Sequence, residues 1–254
     1  MKRRRITTML LAAVIAMFAM ASQAQGDWPA HKFIFYRWAT DMKGEVGPDF
    51  FRHGFDADFS DIADKTEISM TSHGEMRWGK WGLMTDIFYL ELKDTQNGRF
   101  FGYPVDLKLE NTILGAAATY NVIETERSTF DFTFGLRYNK VDAAIESNHY
   151  FKNYLSRDLD WIDPVIGFKG AAKLSDRWTF CYLGDIGGFG VGSDFTWTGS
   201  VMFDAQIAKH VALDIGYRYQ KSDYEKDVEI LGHDLDYIYD ISMSGPFFGV
   251  SFNW

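Results

Sequence analysis

Between Ser193 and Ile207 the side chains take turns. Phe195, Trp197, Gly199, Val201, Phe203, Ala205 and Ile207 hold the odd positions, and Asp194, Thr196, Thr198, Ser200, Met202, Asp204 and Gln206 the even ones. A period of two sends successive side chains to opposite faces of a strand, so one face here is oily and the other wet. The next stretch repeats the pattern, with Val211, Leu213, Ile215, Tyr217 and Tyr219 against Ala212, Asp214, Gly216, Arg218 and Gln220. Phe130, Phe132, Phe134, Leu136 and Tyr138 do the same against Asp131, Thr133, Gly135, Arg137 and Asn139. Less regular alternation covers about 31–47, 66–78, 81–92, 105–122, 160–174, 178–187 and 235–254, which predicts ten strands in all.

The joins alternate too. Tight ones at 78–81, 174–177 and 208–210, and a slightly longer one at 121–129, are interleaved with long polar stretches at 48–65, 93–104, 147–159 and 224–234. Short turns at one end and long loops at the other are the asymmetry of a membrane-spanning barrel. The join Gly187–Gly192 departs from it: short and glycine-rich on the long-loop side, it calls for flexibility or a close backbone approach. Within 48–65, Ser60-Asp61-Ile62-Ala63-Asp64 combines a capping residue with early acids and predicts a single helical turn. Apolar parity changes twice. It is odd at Tyr237, Tyr239, Ile241 and Met243 but even at Phe248, Val250, Phe252 and Trp254, and odd at Val105, Leu107 and Leu109 but even at Leu114, Ala116, Ala118 and Tyr120. One extra residue swaps the faces of a strand, so a bulge is expected at Gly245-Pro246 and a kink near Asn111.

Composition narrows the class. The 254 residues include 22 Phe, 13 Tyr and 8 Trp against 5 Pro, a balance that favours pleated strands. The lone cysteine, Cys181, cannot close an intramolecular disulfide. Lys2, Arg3, Arg4 and Arg5 precede 13 apolar residues, Met9 to Ala21, and the small residues of Ser22-Gln23-Ala24, the layout of an export signal spanning 1–24. Removing it takes away four basic and no acidic residues and moves the net charge from -9 to -13, which argues against a nucleic-acid partner. After it no run of 18 apolar residues occurs, so a membrane protein of this sequence must be a closed barrel. The expectation is therefore an all-β, antiparallel up-and-down transmembrane barrel over residues 25–254, of ten strands with eight as the alternative. Trp78, Trp81 and Trp178 at the tight-turn end, and Tyr138, Trp161, Tyr219 and Tyr237 toward the other, are expected to form its interfacial girdles.

The chain ends Gly249-Val250-Ser251-Phe252-Asn253-Trp254, a glycine followed by alternating apolar residues and a terminal aromatic. This resembles the C-terminal signal of bacterial outer-membrane barrels, which implies that Gly249, Phe252 and Trp254 are read by the barrel assembly machinery. Trp161-Ile162-Asp163-Pro164, the stretch Gly187 to Asp194, and Gly216-Tyr217-Arg218-Tyr219 resemble a group of small proteobacterial barrels related to the OmpA-type transmembrane domain. That resemblance covers most of 25–254. It implies a fold, an outer-membrane location and surroundings of lipid and lipopolysaccharide, and it brings no catalytic residues and no cofactor.

If the oily columns meet lipid, the wet ones line the lumen and place Arg37, Asp41, His73, Glu75, Arg77, Asp86, Arg137, Asp185, Asp214 and Arg218 there. A ten-strand barrel is little wider than the eight-strand kind that side chains fill. Acids and bases are then expected to pair across the lumen and plug it, leaving at most a narrow polar path, because buried charges need partners. The role this predicts is structural, interactive or that of a narrow pore, without catalysis. An outer-membrane hydrolase is the first alternative, since omptin proteases also have ten strands and barrel lipid A deacylases use a His, a Ser and an acid. Among the histidines only His73 falls inside a predicted membrane strand, where Glu75 shares its face, and Asp86 with Asp185 could form a carboxylate pair. A hydrogen-bonded lumen histidine is the simpler reading, and no metal-ligand spacing, phosphate loop or nucleophile elbow accompanies it. The second alternative, a soluble lipocalin-like binder, would turn the oily face inward. Arg99-Phe100-Phe101 and His149-Tyr150-Phe151 are apolar loop clusters suited to partner contact or to shielding by lipopolysaccharide sugars.

Overall fold

The alternation closes on itself. A computed structural model describes residues 28, 30–48, 53–100, 103–147, 155–230 and 233–254. The export-signal region and the 149–151 cluster lie outside these residues. The strands are β1 (His31–Trp38), β2 (Asp41–Pro48), β3 (His53–Ala57), β4 (Thr66–Trp78), β5 (Trp81–Phe100) and β6 (Tyr103–Glu124). They continue as β7 (Ser128–Ser147), β8 (Leu155–Lys173), β9 (Trp178–Gly188), β10 (Phe195–Ala208), β11 (Val211–Ile230) and β12 (His233–Asn253), with one helix, α1 (Phe59–Lys65), between β3 and β4.

Each strand from β4 to β12 pairs antiparallel with the next, and β12 returns to β1. β1 and β2 pair in succession with one strand, Phe247–Asn253 and then Tyr237–Ser244 of β12, so they form a single stave. β4 pairs with β1 and β3 with β2, which makes a second divided stave. The wall is thus a closed barrel of ten staves, as the ten alternating segments predict.

Outward and inward positions separate by chemistry. On β7, Phe132, Phe134 and Leu136 are 54%, 47% and 56% exposed, whereas Asp131, Thr133 and Arg137 are buried. Trp78, Trp81 and Trp178 stand exposed at the short-turn end, and Trp197 stacks on Tyr219 at 4.4 Å toward the other. This is the reverse of a soluble lipocalin. One girdle expectation changes and one falls outside what is described. Trp161 turns inward and is buried against Tyr224, and the Tyr237 side chain lies outside the described residues.

Neither predicted parity break exists in the backbone. β6 runs in continuous register past Asn111 against both neighbours, and β11 pairs with β12 without a shift through Gly245 and Pro246. Instead the environment changes. Above the lipid-facing band the outward positions meet water and carry charge, as Lys140, Lys221 and Asp240 do, while the inward positions become apolar. Tyr239, Ile241 and Met243 therefore point inward on the same parity as Phe247, each contributing about 1.5–3 kcal/mol by burial. What Pro246 interrupts is the neighbouring stave: β1 ends at Trp38 and β2 starts at Asp41, with Ala39 donating to the Pro246 carbonyl at 2.9 Å.

The same inversion explains why most of 93–104 and 224–234 is strand instead of loop. Pairing of β5 with β6 extends to Phe100 and Tyr103, and that of β11 with β12 to Ile230 and His233. Tall strand arms thus rise beyond the band. The helical turn expected at 60–64 is α1, which starts one residue earlier and buries Ile62.

Candidate functional site

The lumen has two storeys. The upper one is apolar, because the inward positions above the band come from the oily runs just described. Trp38 packs edge-on against Phe88 at 5.4 Å, both almost wholly buried. Trp161 of β8 stacks on Tyr224 of β11 at 4.2 Å, and Tyr239, Ile241, Met243 and Phe247 fill the space between. These side chains form one continuous cluster across the barrel.

The lower storey is a cavity of about 840 Å³ that reaches from Ile34 and Phe247 at its ceiling to Arg127, Asp176 and Lys209 at the short turns. Its wall is a charge network. Arg218 donates to Asp86 at 2.9 Å and to the Tyr36 hydroxyl at 2.6 Å, with its guanidinium 5.1 Å over the Trp38 ring, so it joins the two storeys. His73 sets Nδ1 3.3 Å from Asp86 and Nε2 3.0 Å from Glu75. Both partners are carboxylates, so the ring satisfies both when each nitrogen carries a proton. Lys169 bonds Glu75 and reaches Asp131 at 3.4 Å, and Arg77 bridges Asp131 to Glu124. Arg137 donates to Asp185 at 2.6 Å and to Thr196 at 3.1 Å. Lys32 meets Asp204 at 2.8 Å, directly across the strand pair from Asp214.

Eight of the ten lumen candidates face this cavity or its walls: His73, Glu75, Arg77, Asp86, Arg137, Asp185, Asp214 and Arg218. The other two do not. Arg37 follows the parity of Phe35 and stands exposed on the outer surface, paired across the strands with the outward Phe248. Asp41 also faces outward and accepts the Phe59 N–H at 2.7 Å, fixing the start of α1. Asp86 and Asp185 form no carboxylate pair, because each is held by a different arginine. Lys32, Tyr36 and Lys169 are partners that the residue-by-residue reading missed, although Asp131 and Asp204 already stood on wet columns.

Two further features close the ends. Trp28 lies only three residues before β1, yet its indole donates to the Thr125 carbonyl at 2.9 Å, with Lys173 4.5 Å over its ring. Thr125 and Lys173 belong to the β6–β7 turn and the end of β8, across the barrel from β1, so Trp28 crosses the cavity mouth. At the other end the Gly187–Gly192 join is held by Asp163. That fully buried carboxylate accepts from Ser193 N and Oγ at 2.6 and 2.8 Å, from Asn139 at 3.1 Å and from the Trp161 indole at 3.0 Å. A Cβ on Gly192 would overlap the Ile162 carbonyl, which identifies close approach as the reason for glycine there.

No family model and no curated protein sequence matches the chain. Among solved structures it is similar to the outer membrane protease OmpT of Escherichia coli, with 8% identity and a TM-score of 0.52, covering 92% of this chain and 99% of that one. It is also similar to the translocator domain of the autotransporter NalP of Neisseria meningitidis (11% identity, TM-score 0.47, covering 100% and 98%). A third is Ail of Yersinia pestis (9%, 0.40, covering 88% and 97%). At such identities the likeness is one of fold. A closed barrel pairs its backbone groups within its own wall, so it can stand in lipid, and an outward oily band is what lipid contact requires. The chain is a ten-stave outer-membrane β-barrel.

Proposed function

We propose that this barrel is sealed and non-catalytic, a structural or interaction protein that presents tall strand arms outside the membrane and keeps a charged cavity facing the periplasm. The observation that carries this reading is the apolar storey, from Trp38 and Phe88 to the Trp161–Tyr224 stack, which lies across the lumen above the charged cavity. The periplasmic sense of that end follows from the short turns. Against a hydrolase, both His73 nitrogens are taken by carboxylates, and among the described residues no hydroxyl or thiol bonds to the ring.

The partners we assign are lipopolysaccharide around the outer rim, where Arg37 stands exposed beside the oily Phe35, and the assembly machinery acting on Gly249, Phe252 and Trp254. The test of the sealed reading is solute flux. Proteoliposomes diluted into an isotonic solution of a small sugar should swell no faster than protein-free vesicles; rapid, protein-dependent swelling would reject the seal.

A further inference from the structure

The β9–β10 hairpin is the low point of the wall. β9 and β10 have 11 and 14 residues, against 20 and 21 in β11 and β12. Strands rise about 3.3 Å per residue. With the tilt usual in such barrels, the ten steps from Trp178 to Gly188 lift the chain about 25 Å, the height of the oily band itself. The join therefore turns where the band ends, while β11 continues roughly 20 Å higher on the same reckoning.

At that level the join carries oil instead of charge. Phe189 is 51% exposed and Val191 73%, and no charged residue occurs between Ile186 and Asp194. The outward Ile186 and Phe195 just below are similarly exposed, so the patch continues the lipid-facing surface. The join is also built to hold this shape. Gly188, Phe189 and Gly190 all have positive φ, the Val191 N–H donates to the Gly188 carbonyl, and Gly190 to the Ser193 carbonyl. Asp163 grips Ser193 from within, and Asp194 donates to the Asp223 carbonyl of β11. Phe189 is the single non-glycine residue with positive φ among the described residues, a conformation that L side chains resist. In water neither that strain nor an exposed valine gains anything.

We propose that the β9–β10 join is a membrane-seated rim: Phe189 and Val191 rest in the acyl-chain boundary of the outer leaflet, fixed there by Asp163. The barrel then has one low side in direct lipid contact and a tall side that projects into solvent. This goes beyond the sealed-barrel reading and does not depend on it.

The test replaces the native thiol (Cys181→Ser) and introduces Val191→Cys or, separately, Phe189→Cys, each coupled to an environment-sensitive fluorophore. The folded protein is placed in dioleoyl phosphatidylcholine vesicles with or without phosphatidylcholine bearing a nitroxide near the glycerol end of the chain. Val201→Cys on the outward face of β10 is the lipid reference, and Lys43→Cys, on a tall stave, is the water reference. The expected result is blue-shifted emission at 191 and 189, with nitroxide quenching comparable to position 201 and several-fold greater than at position 43. Emission and iodide quenching like those at position 43 would overturn the proposal. So would blue-shifted emission that ignores the nitroxide and vanishes at one protein per vesicle, since a second copy would then cover the patch.

Discussion

Asp163 holds four donors and no cation, and its two oxygens each receive two of them. An amide cannot imitate this, because its NH2 would face donors on one side. Asp163→Asn should therefore cost about 1–3 kcal/mol for each stranded donor. It should lower the temperature at which the barrel loses its heat-modifiable migration on detergent gels; an unchanged temperature would show that the node is not needed. A second residue-scale case is Lys32, the cation that meets Asp204 across from Asp214. Lys32→Met should destabilise by about 3–5 kcal/mol, since it leaves buried carboxylates uncompensated. Lys32→Met with Asp204→Asn should recover much of the loss in the same gel assay, and no recovery would mean that lost packing dominates. The sequence marked Trp161–Pro164 and Gly187–Asp194 separately, but a bond across 30 residues leaves no local trace in either. Arg37 and Asp41 show the opposite limit. Their residue type suggested the lumen, whereas their parity, shared with Phe35 and opposite to the buried Met42, turns both outward.

Strand existence was the legible part of each element, because the period of two survives wherever one face is oily. Strand length was not. Once a strand leaves lipid its outward face becomes polar and its inward face oily, so the alternation reverses phase without any change in the backbone. A reversed phase reads as a bulge at Gly245-Pro246 or as the start of a loop at Lys93, and both readings dissolve when the medium outside is taken into account. The apolar arms should then be as sensitive as any core: Phe88→Ala, which empties a site only 1% exposed, should cost about 3–5 kcal/mol and lower the gel-shift temperature accordingly. At the other end Trp28 lies over a cavity lined by the single thiol of the chain, Cys181. Trp28→Ala should speed modification of Cys181 by a small thiosulfonate reagent several-fold in the folded barrel. An unchanged rate would mean that Trp28 does not limit entry.

At the scale of the whole molecule, the charges and the plug divide the work in a way that the list of lumen candidates did not foretell. The pairing of acids with bases keeps charge tolerable inside a narrow wall, yet it leaves a cavity; closure comes from oily residues one storey higher. Of these residues Tyr224 lies in a stretch whose sequence, taken alone, describes a polar loop, whereas Trp38, Phe88, Trp161, Tyr239, Ile241, Met243 and Phe247 lie on segments that alternate as strands. The central claim is that no continuous water path crosses the barrel, and single-channel recording in planar bilayers tests it most directly. The unaltered protein should leave the current at the level of bare lipid, and Trp38→Ala combined with Phe88→Ala should introduce discrete conductance steps. Stable, large conductance steps from the unaltered protein would contradict the account.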